Sequence, residues 1–205
     1  MPYETVNAFI LTREPSGESM QRLRLFTERL GILTVYRRQS RRQAGAPVAP
    51  DLFDRLEAVI ETRNEGRTWF LKEYLISRRF PGIGRTYRSL EYASRFASVL
   101  MKNPLHADAA AELFIALENA LAAWETAAHP EVVYLKALYL YARDEGFAVR
   151  EDWFRTLPPS RHAAADTLIH RPLAGVSPEA LPHAVPLIEN LEAWLQTHHD
   201  LRLPP

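Results

Sequence analysis

The chain has 205 residues, 47% hydrophobic and 24% charged, with 25 basic side chains balancing 25 acidic ones. This is the composition of a soluble globular protein able to bury a sizeable core, and it excludes disordered, collagenous and coiled-coil chains. The absence of cysteine removes disulfide frameworks, thiolate nucleophiles and cysteine-ligated zinc modules.

No stretch approaches the roughly 20 uncharged apolar residues of a membrane span. The start, Met1-Pro2-Tyr3-Glu4, has neither the basic opening nor the apolar core of a signal peptide, so a cytoplasmic chain is expected. The neutral total hides a division at Leu90, with a net charge of +6 up to that residue and −6 beyond it. Such asymmetry between halves hints at nucleic-acid contact. Six of the eight glycines precede the same point and 22 of the 27 alanines follow it. Glycine serves turns and alanine serves helices, so the first half reads as strands and the second as helices.

In chain order, Val6–Leu11 is an apolar run closed by the turn-forming Glu14-Pro15-Ser16-Gly17, and is read as strand one. Met20–Thr27 sets Arg22 and Arg24 against Leu23 and Leu25, the period of two of a half-buried strand, although a helix stays open because Gly and Pro are absent from Glu18 to Leu30. Past Gly31, Ile32–Tyr36 is β-branched and aromatic and forms strand three. Leu52–Ile60 and Trp69–Ile76 are the remaining strands, joined through Asn64-Glu65-Gly66. Five short strands within some 80 residues predict a small barrel.

Two basic groups lie in this half. Arg37, Arg38, Arg41 and Arg42 follow Tyr36 within six residues. Each guanidinium stays charged and can fork two hydrogen bonds onto a phosphate, whereas the plainer reading is a solvated loop guarding an edge strand. Arg78, Arg79, Arg85 and Arg88 are interleaved with Phe80 and Tyr87, a mixture suited to single strands, where bases stack and phosphates are paired. Phe80 and Tyr87 serve equally well as anchors between the halves.

Beyond Leu90 apolar residues recur at three- and four-residue spacing. This predicts helices over Ser89–Met101, Ala107–Ala127 and Glu131–Glu145, with Ser89 capping the first and Gly146 ending the third. Eight of the fifteen prolines fall from Pro158 onward, which predicts short helices and irregular links there, and a last helix runs from about Pro186 to His199. No P-loop, dinucleotide fingerprint or Gly-x-Ser-x-Gly elbow occurs, and the seven histidines form no ligand pair with a third partner. Nothing supports an enzyme, a metal site or a cofactor.

Glu18-Ser19, Leu25-Phe26-Thr27-Glu28 and Gly31, followed in order by Arg38 and Arg41, Pro50, Leu113-Phe114, Pro130-Glu131 and Lys136 to Gly146-Phe147, resemble the bacterial RecO family over residues 5 to about 155. The resemblance implies an α+β chain: a five-stranded OB-fold barrel over residues 1–80, a nucleic-acid-binding domain, then an all-α domain over 81–205. Many members hold a four-cysteine zinc module after the Gly-Phe position, and here Asp152-Trp153-Phe154 runs on to Pro158-Pro159 without one.

The function so implied is that of a non-catalytic mediator of recombination and DNA repair. Such a protein binds single- and double-stranded DNA, anneals strands, and loads RecA with a RecR-like partner, associated with the nucleoid. On this reading Tyr36, Arg37, Arg38, Arg41, Arg42, Arg78, Arg79, Arg85 and Arg88 contact DNA. Lys136, with Leu135 and Tyr139, receives the acidic C-terminal tail of single-stranded DNA-binding protein. The alternative is an adaptor of the same fold that does not bind DNA appreciably.

Overall fold

The computed structural model describes residues 3–38, 48–64, 66–103 and 110–204, in two compact units, Met1–Phe80 and Pro81–Pro205. The chain is α+β: a closed five-stranded barrel followed in sequence by helices.

The barrel strands are β1 (Tyr3–Ser16), β2 (Met20–Thr27), β3 (Gly31–Arg38), β4 (Arg55–Arg63) and β5 (Thr68–Arg78). They close in the order β1-β2-β3-β5-β4, an OB-like topology. All neighbours are antiparallel except β3 and β5, whose short parallel contact pairs Val35 with Trp69 and Tyr36 with Phe70. Met20–Thr27 is therefore a strand, as its Arg/Leu alternation suggested, and not the helix that the absence of Gly and Pro left open. β1 extends through Glu14, Pro15 and Ser16 of the expected turn, and its fourth residue, Gly17, makes the reversal at φ +75°. β1 pairs with both β2 and β4, and its bulge between Ile10 and Thr12 supplies the bend a closed sheet needs. Leu52 and Phe53 precede β4 in a turn rather than opening it, with Phe53 buried at φ +65°.

Inward-facing residues at period two fill the barrel. Ile10, Leu23, Leu25, Val35, Leu56 and Ile60 are fully buried at its centre, each contributing about 1.5 to 3 kcal/mol.

The second unit holds α1 (Tyr87–Lys102), α2 (Ala110–Thr126), α3 (Pro130–Asp144), α4 (Phe154–Thr156, a single turn), α5 (Pro159–His170) and α6 (Ala184–His199). The cap of α1 is Thr86, whose hydroxyl accepts from the Ser89 backbone N–H at 3.1 Å. Ser89 is thus inside the first turn and not its cap, because the helix starts two residues earlier than its apolar stripe. The helix expected from Ala107 is described from Ala110, and the proline-rich stretch expected to hold short helices and irregular links contains α5 and the single turns Leu173–Gly175 and Leu181–His183. Pro159 at its first turn costs no hydrogen bond there. Gly146, at φ +83°, follows the end of α3.

α3 is the central element, touching α1, α2, α5 and α6. Its residues Tyr134, Leu135, Leu138, Tyr139 and Tyr141 are all buried. A π-helical turn, Val149–Trp153, leads into α4, and the Trp153 indole donates to Asn190 on α6 at 2.8 Å. Among the described residues no helix is long and apolar enough to cross a membrane.

Candidate nucleic-acid interface

On the barrel's outer surface the alternation of β2 and β3 presents the residues the core does not take. Arg22 pairs across the ladder with Tyr36, Arg24 with Thr34, and Met20 with Arg38. Arg24 donates to the Thr34 hydroxyl at 3.1 Å, and Arg38 is exposed. Arg22 is hydrogen-bonded to Glu14, which holds its guanidinium above its ordinary pKa, with a smaller contribution from Tyr36.

The parallel β3–β5 contact then extends this face. Phe70 stands beside Tyr36 with ring centroids 6.0 Å apart, and the Arg63 guanidinium lies over the Phe70 ring at 5.1 Å. Lys72 bonds to Glu61 at 3.1 Å. Two half-exposed aromatic rings thus sit among Arg22, Arg24, Arg38, Arg63 and Lys72 on the β2–β3 face that OB folds use for oligonucleotides. Such a surface can pair phosphates with its cations and stack bases on its rings.

The predicted DNA-binding residues divide accordingly. Tyr36 and Arg38 are on this face. Arg37 points to the other side of β3, donating to the Tyr74 hydroxyl at 3.2 Å and lying 5.4 Å from that ring, because successive strand residues alternate sides. Arg41 and Arg42 lie outside the described residues. Arg78 stacks over Phe80 at 4.6 Å. Arg79 bridges the Asp54 carboxylate at 3.3 Å and the Ala49 carbonyl at 3.0 Å, so it ties a loop down; burial nevertheless raises the pKa of Asp54.

Arg85 and Arg88 belong to the second unit, where Arg85 is exposed and Arg88 pairs with Glu131 at 3.4 Å. In the sequence Phe70, Arg63 and Lys72 fall outside both basic groups, and Arg22 and Arg24 mark only the wet side of a strand. The alternation of β5 carried a signal for Phe70, but its partner Tyr36 is brought alongside only by barrel closure.

The predicted tail-binding group changes character. Leu135 is fully buried and Tyr139 is 2% exposed, so neither offers a seat to a peptide; α3 is covered on nearly every side. Lys136 donates to the carbonyls of Ile169, at 3.0 Å, and Arg171, satisfying acceptors at the end of α5 that have no helical partner. Burial lowers its pKa. Lys136 also lines a groove of about 310 Å³ between α2 and α3 with Ile115, Ala116, Leu140 and Arg143. Among the described residues no group of three His, Cys, Asp or Glu side chains is placed to hold a metal ion.

Comparison of the chain with protein-family models and with curated proteins returns no match.

Proposed function

We propose that the N-terminal barrel binds nucleic-acid strands through the outer face of β2, β3 and β5, and that the protein acts without catalysis as a RecO-like mediator of DNA recombination and repair. The observation carrying the reading is the Tyr36–Phe70 aromatic pair set among Arg24, Arg38 and Arg63 on one side of the barrel. The OB-like strand order supports it, and so does the order of short motifs in the sequence.

On the same reading strand annealing, RecA loading with a RecR-like protein and nucleoid association follow from DNA binding. The acidic tail of single-stranded DNA-binding protein is assigned to the α2–α3 groove, where Lys136 and Arg143 adjoin the apolar Ile115 and Leu140.

A labelled single-stranded oligonucleotide titrated between 50 and 200 mM salt tests the central claim. Affinity should fall steeply with salt as phosphate counterions are released. Absence of binding at the lower salt would leave the adaptor reading, which the pairing of Arg22 with Glu14 and of Lys72 with Glu61 favours by neutralising two cations of the face.

A further inference from the structure

Glu61 is on β4 with its side chain only 4% exposed, on the outer side of the barrel opposite Phe70 in the ladder. Secluding an ionised carboxylate is costly unless it is paired. Here Lys72 reaches it at 3.1 Å and Arg63 at 4.0 Å, and Tyr3 donates a hydrogen bond to it. The Lys72 hydrogen bond is the main cause of a carboxyl pKa below the usual range.

Two cations from adjacent strands are thereby drawn to one point. With its Nε 4.0 Å from the Glu61 carboxylate, Arg63 lies over Phe70, which stands next to Tyr36. For a surface that merely attracts polyanions this carboxylate is counterproductive, since it cancels charge the phosphates would use. Its effect on geometry runs the other way: it removes rotamer freedom from two long cationic side chains before any ligand arrives.

We propose that Glu61 is the positioning residue of this face, holding Arg63 and Lys72 so that Arg63, Phe70 and Tyr36 form a preset stacking step for unpaired bases of single-stranded nucleic acid. The inference rests on the nucleic-acid reading above and names what that site recognises and how it is ordered. Unpaired bases are required because bases stacked within a duplex do not offer their flat faces to protein side chains.

The test compares a labelled 12-nucleotide dT strand with an abasic strand of the same length, using the full chain with its active fraction fixed by stoichiometric titration. Wild type should prefer the base-bearing strand by about tenfold or more. Glu61→Gln should bind the abasic strand as well as wild type or better, having lost a negative charge, while its preference for bases falls to about twofold. A purely electrostatic role predicts tighter binding to both strands at an unchanged ratio.

Arg63→Gln, at an exposed side chain, should lose the preference in the same way and decides the matter should Glu61→Gln not fold. Retention of the wild-type ratio by either folded variant overturns the inference, as does a wild type indifferent to bases. A wild type that binds neither strand overturns the nucleic-acid reading itself.

Discussion

Tyr134 on α3 donates its phenolic hydrogen to Glu192 on α6 at 2.7 Å, and the same carboxylate receives Arg95 of α1 at 2.9 and 3.0 Å. Three helices are thus tied through one anion, with the Arg95 guanidinium lying over the Tyr134 ring at 5.1 Å. Burial, reinforced by Glu192, pushes the Tyr134 pKa far above its ordinary value, so the phenol remains a donor. Replacing Glu192 with Ala strands both partners and should cost about 3 kcal/mol. Glu192→Gln, which keeps an acceptor for Tyr134, should cost less, and chemical denaturation at constant m-value gives both figures.

Gly82 is needed for space. A Cβ there would come within 2.2 Å of the Glu125 carbonyl oxygen and 2.5 Å of its side chain. Gly82→Ala should therefore force a backbone shift and destabilise the helical unit by about 1 to 3 kcal/mol. A melting temperature equal to wild type would show that the contact relaxes freely.

The arginines of β2 and β3 should separate by side of strand. Arg24→Ala and Arg38→Ala are expected to weaken binding to any sequence and each to reduce the salt slope by about 1. Arg37→Ala, which loses its contacts with Tyr74, should leave the slope unchanged and lower stability by about 1 kcal/mol. Salt titrations of the three variants beside thermal melts distinguish these outcomes, and a reduced slope in Arg37→Ala contradicts the assignment.

Acid should loosen the end of α6. His199 stacks on Phe147 at 4.2 Å and lies 4.8 Å from Trp194. Burial lowers its pKa below the ordinary 6.5, neighbouring His198 lowers it further, and Asp152 opposes both. The unfolded chain then holds the proton more readily than the folded one. The contribution of neutral His199 is complete above pH 6.5 and is lost as pH falls from there through the folded value. Between pH 7.5 and 5.5 the melting temperature should drop more for wild type than for His199→Phe, which keeps the stack without a titrating ring; equal drops would exclude His199 as the cause.

Folding should need no metal, since the chain has no cysteine and apolar side chains pack the centre of its barrel. A chelator should leave the melting temperature unmoved, and elemental analysis of the purified chain should return no stoichiometric zinc.

Local chemistry alone determined the order of strands and then helices. The alternation of Arg22, Leu23, Arg24 and Leu25 fixes which side of β2 is wet, because a strand repeats every two residues whatever surrounds it. The stripe from Leu113 to Trp124 likewise marks the buried side of α2. Gly146 marked the end of α3 through its tolerance of a positive φ.

What these patterns leave open is which distant residues become neighbours. Tyr36 and Phe70 belong to different strands, and only barrel closure sets them side by side. Glu61 reads in the sequence as one more surface carboxylate until Lys72 and Arg63 enclose it. Leu135 and Tyr139 looked available beside Lys136, because a helix's own periodicity cannot reveal that other helices cover its remaining sides. In α3 four of them do, and burial there is decided by the helices packed around it rather than by its own sequence.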